Sequence, residues 1–122
     1  MPTVLLVADR QSVIDQVHAS LAATDIVLID HPDSDTAAAA AYGQSVDGVL
    51  VDMQVGSMGA MAVARDVRAK ADDGDEIPVT ILLDRPVDAF LAGRSGAGNW
   101  LLKDAPASEL EAALARAPAT PS

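Results

Sequence analysis

Cysteine is absent from the 122 residues, and basic residues are few. Without cysteine the chain has no disulfide scaffold, no thiolate metal site and no cysteine nucleophile. Eight Lys and Arg residues stand against 18 Asp and Glu, which gives a formal charge of -10. This balance argues against electrostatic binding to nucleic acid or to a membrane surface.

Long apolar runs are missing as well. No run approaches the ~20 residues that cross a bilayer, and no basic segment precedes an apolar one at the start of the chain. We therefore expect a cytoplasmic protein. The length and the 50% hydrophobic content favour one domain over residues 1–117. Residues 118–122 are rich in proline and poor in apolar side chains, so we expect a flexible tail there.

Short apolar runs alternate with segments of helical length. The runs resemble strands buried on both faces and cover residues 4–7, 26–29, 48–51, 78–83 and 100–102. The predicted helices cover residues 11–22, 35–42, 58–70, 87–94 and 108–117, and Ser108 with Glu111 matches a capping box at the last one. This alternation predicts an α/β fold of three layers, with a doubly wound five-stranded parallel sheet of flavodoxin-like order 2-1-3-4-5.

Charged residues follow the predicted strands. Asp9 follows the first strand, Asp52 ends the third, Asp84 follows the fourth and Lys103 ends the fifth. Ligands in this fold class bind beyond the carboxyl ends of the strands. Carboxylates there can bind Mg²⁺ or attack phosphorus, and a lysine can contact phosphoryl oxygens. Each residue taken singly is more often a helix cap, a turn or a solvated strand end.

Four stretches in order resemble one known family. They are residues 4–9 (VLLVAD), 46–54 (VDGVLVDMQ), 77–83 (IPVTILL) and 96–104 (GAGNWLLKD). With this order and spacing, nearly the whole chain resembles a response-regulator receiver domain, the CheY-like family of two-component signalling.

The resemblance implies a role for each matching residue. It makes Asp52 the phosphoacceptor and Lys103 the residue that contacts the phosphoryl group. It makes Asp9 and Asp52 ligands of Mg²⁺, with the backbone carbonyl of Gln54 as a third. It also places Trp100 at the position of the aromatic switch residue.

Three positions depart from the family pattern. Ala8 replaces the first of two acidic residues, so Mg²⁺ is expected to bind weakly. Leu83 occupies the switch position of a Thr or Ser and cannot hydrogen-bond a phosphoryl oxygen. Asp84 replaces a small residue and either repels the phosphoryl group or turns outward, to pair with Arg85 or to cap the following short helix.

Two functions remain open. In the first, the chain is a single-domain receiver that takes a phosphoryl group from a histidine kinase or phosphotransfer protein and changes a partner-binding face that includes Phe90, Leu91 and Trp100. In the second, it is a degenerate receiver that binds an unknown protein partner without phosphorylation. Beyond self-phosphorylation from small donors and autodephosphorylation we expect no enzyme activity, and we expect a monomer or weak homodimer.

Two further interpretations are weaker. A flavin or nucleotide site would need a glycine-rich loop after the first strand, and residues 8–12 contain no glycine. His18 lies on the first predicted helix and is expected to be a surface or packing residue, not a phosphotransfer histidine.

Overall fold

The computed structural model describes residues 2–53, 55, 59–70, 77–88, 99–103 and 105–115. In these residues the strands are β1 (Thr3–Val7), β2 (Val27–Asp30), β3 (Gly48–Asp52), β4 (Val79–Leu83) and β5 (Asn99–Leu102). The helices are α1 (Gln11–Leu21), α2 (Ala37–Gly43), α3 (Ala60–Ala69) and α4 (Ala107–Ala115), with 3₁₀ turns at Ser34–Thr36 and Pro86–Asp88.

All five strands are parallel and form one sheet in the order β2-β1-β3-β4-β5. This confirms the predicted fold class and strand order. Most of the helix predicted over residues 87–94 lies outside the described residues, and so do Phe90, Leu91 and the predicted tail over residues 118–122.

Alternate side chains of the strands enter two separate apolar clusters. On one face Leu5, Val51 and Ile81 pack with α2 and α3. On the other face Leu6 and Leu50 pack with α1 and α4. Because side chains of a strand point to opposite faces in turn, the apolar runs fill both clusters and produce the three layers.

The edge strands differ from the prediction of burial on both faces. The four residues of β2 are all exposed or half-buried, and Val27 is 40% exposed. In β5, Trp100 is 40% exposed and Leu101 is half-buried. The prediction is confirmed for the central strands β1, β3 and β4, apart from the half-buried Pro78 at the start of the run over residues 78–83. An edge strand has a neighbour on one side only, so an apolar run there is less enclosed.

Helix α4 starts earlier than the capping-box pattern predicted. The carbonyl of Pro106 accepts from the N–H groups of Glu109 and Leu110 at 3.0 and 3.2 Å, so Ser108 lies within the first turn and the predicted cap is wrong. The longest described helix, α1, has 11 residues, and no described helix is long and apolar enough to cross a membrane.

Candidate functional site

Asp52 is a carboxylate that the fold buries completely. It is the last residue of β3, the middle strand, and is paired in register with Leu82 of β4. The alternation along β3 puts Asp52 on the same face as Leu50, toward α1 and α4. A buried carboxylate is tolerated only with charged or hydrogen-bonding partners, so its neighbours define the site.

Two cations contact Asp52. Nζ of Lys103 lies 2.6 Å from Oδ1. Nη2 of Arg10 lies 3.1 Å from Oδ2 and 3.3 Å from Oδ1, and its Nε donates to Oδ2 at 3.3 Å. The Lys103 side chain is 13% exposed, whereas that of Arg10 is 45% exposed. Both carboxylate oxygens therefore accept charge-assisted hydrogen bonds.

Asp84 is the fourth member of this group. Its Oδ1 lies 2.6 Å from Nζ of Lys103 and 3.8 Å from Nη2 of Arg10. Asp84 therefore turns toward Lys103 at the strand ends, and the described ion pair of Arg85 is with Asp88 at 3.3 Å. We call the four side chains Arg10, Asp52, Asp84 and Lys103 the charge cluster.

The backbone explains how Arg10 reaches Asp52. The carbonyl of Arg10 accepts from Val13 and Ile14, both at 3.1 Å, so Arg10 is the residue at which α1 begins. From there its long side chain extends back over the strand ends. Arg10 is not among the site residues predicted from the sequence, although a basic residue at a helix start, where Ser, Thr, Asp or Asn is favoured, was a usable signal.

The end of β5 is held from two sides. The N–H of Lys103 donates to the carbonyl of Leu83 at 2.9 Å, and its carbonyl accepts from Nε2 of Gln16 at 2.7 Å. The strand end is thus tied to β4 and to α1, which directs the Lys103 side chain toward Asp52. Of the four charged residues predicted at the strand ends, the structure brings Asp52, Asp84 and Lys103 into contact, whereas Asp9 after β1 is exposed.

Similarity to known proteins agrees with this architecture. No family model matches the chain. The transcriptional regulatory protein RstA of Escherichia coli K12 is 31% identical over 116 residues, which are 93% of this chain and 47% of RstA. The chain therefore spans about half the length of this curated relative.

Solved structures of receiver domains superpose on the chain. The BeF3-activated N-terminal receiver domain of Klebsiella pneumoniae RstA has a TM-score of 0.77 and 25% identity, over 93% of this chain and 99% of that one. The receiver domain of a sensor histidine kinase from Pseudomonas aeruginosa PAO1, with magnesium in its active-site cleft, has a TM-score of 0.79 and 23% identity, over 93% of both chains. The chain has the fold of the CheY-like receiver domains.

The two residues expected at switch positions, Leu83 and Trp100, lie in different surroundings. Leu83 is 2% exposed and packs in the apolar cluster with α2 and α3. Trp100 is paired in register with Ile81 and is 40% exposed. Leu83 therefore acts as a core residue, and Trp100 presents an aromatic surface at the sheet edge.

The receiver's donor set does not fit Mg²⁺ in this arrangement. Ala8 is buried at 1% exposure among apolar side chains, and Asp9 after it is exposed. Gln54 lies outside the described residues. Over the described ranges, no three acidic or imidazole side chains form a group that could hold a metal ion. Both oxygens of Asp52 already face cationic nitrogens.

Proposed function

We propose that this receiver accepts a phosphoryl group on Asp52 in two-component signal transduction, from a histidine kinase or a phosphotransfer protein. The observation that supports this most strongly is the buried Asp52 carboxylate at the carboxyl end of the middle strand, with Nζ of Lys103 at 2.6 Å. Ligands in this fold class bind at that edge of the sheet.

The transfer would use the two residues as nucleophile and counter-charge. An oxygen of Asp52 forms a bond to phosphorus while the P–N bond of a phosphohistidine breaks, and the imidazole nitrogen keeps the electron pair and takes a proton from water. The product is an aspartyl phosphate. Charge spreads over the three phosphoryl oxygens during transfer, and Lys103 is placed to neutralise it.

Access to Asp52 requires a movement of Arg10. The guanidinium lies within 3.3 Å of both carboxylate oxygens, so it must move aside from the attacking oxygen before phosphorus can approach. The side chain is nearly half exposed and its described contacts are those to Asp52 and Asp84, so it can move toward solvent once these contacts break.

The signal is proposed to reach a protein partner through β5. Lys103 is hydrogen-bonded to Leu83 through its backbone, and Trp100 lies three residues before it on the same edge of the sheet. A phosphoryl group that draws Lys103 toward itself would shift this strand end. The exposed ring of Trp100 would then belong to a partner-binding face that differs between the two states.

Other properties are proposed on the same basis. The formal charge of -10 supports a receiver that binds neither nucleic acid nor membranes directly. We propose a cytoplasmic monomer or weak homodimer, with a domain over residues 1–117 and a tail over residues 118–122. Its chemistry would be limited to self-phosphorylation from small donors and autodephosphorylation.

Intact mass spectrometry tests the phosphoacceptor. After incubation with acetyl phosphate, the wild-type protein is expected to gain about 80 Da. Asp52→Asn should gain nothing, whereas Asp15→Asn, which removes an exposed carboxylate of α1, should behave as wild type. A folded wild-type protein that gains no mass would contradict the proposal.

A second function has a specific observation in its favour. Arg10 covers both oxygens of Asp52, and Leu83 contributes no hydroxyl to the site. Both features suit a receiver that binds a protein partner without phosphorylation. The same mass measurement separates the two functions, because this second one predicts no gain in any variant.

A further inference from the structure

We propose that the guanidinium of Arg10 supplies the positive charge beside Asp52 that a divalent cation would otherwise supply, so that this site works without Mg²⁺. The inference deepens the proposed function and rests on it in taking Asp52 as the acceptor. It assigns to Arg10 the role of a built-in counter-ion.

The contacts of Arg10 occupy the space that a cation would need. Its Nη2 and Nε make three hydrogen bonds of 3.1 to 3.3 Å to the two oxygens of Asp52. Mg²⁺ requires oxygen ligands at about 2.0–2.1 Å in an octahedral shell that includes several waters. Such a shell and the guanidinium cannot occupy the same side of Asp52, so one excludes the other.

The charge balance leads to the same conclusion. The charge cluster pairs two cations, Arg10 and Lys103, with two anions, Asp52 and Asp84. A divalent ion added here would face two positive charges, those of Arg10 and Lys103, within a few ångströms. The guanidinium belongs to the chain itself, so its positive charge does not depend on a bound ion.

The local placement of Arg10 is unfavourable apart from its contact with Asp52. A cation at the start of a helix opposes the helix dipole, and the side chain makes no capping hydrogen bond. The neighbouring Ala8 packs among apolar residues at 1% exposure, where a second acidic side chain would have to be buried. After β1, an arginine therefore contacts Asp52, and a pair of adjacent carboxylates is not present there.

Titration with MgCl₂ alone tests the role of Arg10 in the unphosphorylated protein. Calorimetry and backbone amide spectra are recorded for wild type, Arg10→Ala and Arg65→Ala. The last variant is a matched control, because Arg65 is an exposed cation on α3, in the opposite helical layer. Arg10→Ala is expected to bind Mg²⁺ at least about tenfold more tightly than wild type, and Arg65→Ala should equal wild type. Equal affinities for wild type and Arg10→Ala would overturn the inference.

Folding is controlled within the same experiment. Loss of Arg10 leaves Asp52 with Lys103 as its remaining cation among the described contacts, and the dispersion of the amide spectrum reports whether Arg10→Ala folds. If it does not fold, Arg10→Gln removes the charge and keeps a hydrogen-bond donor. The same tenfold gain in Mg²⁺ affinity is expected of Arg10→Gln, and its absence would equally overturn the inference.

Incorporation of phosphoryl from acetyl phosphate, with MgCl₂ or with EDTA, separates this inference from the proposed function. Wild type should gain the same mass in both conditions, whereas Arg10→Ala should require MgCl₂. If wild type gains mass only with MgCl₂, the inference is wrong and the phosphoacceptor stands. If no variant gains mass in either condition, the phosphoacceptor is wrong, and the MgCl₂ titration alone decides whether Arg10 excludes the cation.

Discussion

Asp52 is buried in full, and its charge is balanced by two side chains that come from opposite directions. Lys103 reaches it from the end of β5 and Arg10 from the start of α1. Burying a carboxylate is unfavourable unless such partners replace its water, and removing a partner from a buried ion pair is more damaging than the pair itself is stabilising. The residues of the charge cluster therefore affect stability as well as chemistry.

Replacing Lys103 with methionine tests whether its ion pair with the buried Asp52 stabilises the fold. Lys103→Met should lower the free energy of unfolding by about 2 kcal/mol, less than for a fully orphaned buried charge because Arg10 still contacts Asp52. Urea denaturation measures the change. Lys70→Met, at the exposed end of α3, should stay within about 0.5 kcal/mol of wild type. Equal stability of the two variants would show that Lys103 is not paired with a buried charge.

A substitution at Leu83 tests whether its side chain lies on the face of the sheet that packs against α2 and α3. Leu83→Thr should destabilise the protein by about 2–3 kcal/mol, because it removes packing volume from the α2 and α3 cluster and buries a hydroxyl there. Thermal and urea unfolding measure it, with Val87→Thr as control, since Val87 is 68% exposed. A change below about 0.5 kcal/mol would place Leu83 outside the core.

The cluster was partly predictable at this scale. Asp52, Asp84 and Lys103 follow strands whose carboxyl ends meet at one edge, so strand order alone brings them together. The orientation of the Asp84 side chain depends on its contact with Lys103, which is distant in the sequence. The residues around Asp84 alone therefore do not predict it. Arg10 was missed because its backbone belongs to the start of a helix, and only the length of its side chain brings it to Asp52.

At the scale of elements, the apolar runs and helical periodicity located every described strand and helix. The ends were less predictable because they depend on individual hydrogen bonds. The side chain of Asp33 accepts from the N–H of Asp35 at 3.0 Å and the chain enters the 3₁₀ turn Ser34–Thr36, so α2 begins at Ala37 and not at residue 35. How deeply a strand is buried depends on whether it lies in the middle of the sheet or at its edge. The strand order determines this position, and the apolar runs in the sequence do not.

Two glycines at helix ends provide a matched test of backbone conformation. Gly59, before α3, has φ of 84° and ψ of 153°, a region almost restricted to glycine, whereas no positive φ is found at Gly43, the last residue of α2. An added Cβ has open space at both. Gly59→Ala should destabilise by about 1–3 kcal/mol, and Gly43→Ala should stabilise by about 0.4–1 kcal/mol.

Urea denaturation of the two glycine variants measures these opposite changes in the free energy of unfolding. Steric clash cannot produce a difference between them, because neither new methyl group meets an atom within 4 Å. If both variants shifted stability in the same direction, the backbone assigned to the segment before α3 would be wrong.

At the scale of the whole molecule, the proposed acceptor Asp52 and the exposed Trp100 lie two strands apart in one sheet. Asp52 ends β3 and Trp100 lies on β5, which places their backbones about 10 Å apart across the sheet. Trp100 is the single tryptophan of the chain, so its fluorescence reports on one place only. If a change at Asp52 moves Lys103 at the end of β5, the fluorescence of Trp100 on the same strand is expected to change.

Tryptophan fluorescence therefore tests whether the sheet edge responds. Addition of acetyl phosphate should shift the emission of Trp100 in wild type, because its surroundings change when the end of β5 moves. Asp52→Asn should show no shift under the same conditions. An emission spectrum that stays unchanged in a protein shown by mass to be phosphorylated would mean that β5 does not carry the signal.

Identification of the phosphorylated residue tests most directly the proposal that Asp52 itself receives the phosphoryl group. Borohydride reduces an aspartyl phosphate to homoserine, so peptide mass spectrometry after acetyl phosphate and borohydride treatment identifies the modified residue. The account predicts homoserine at position 52 in wild type and at no other aspartate. Homoserine at another position, or none in a folded protein, would contradict it.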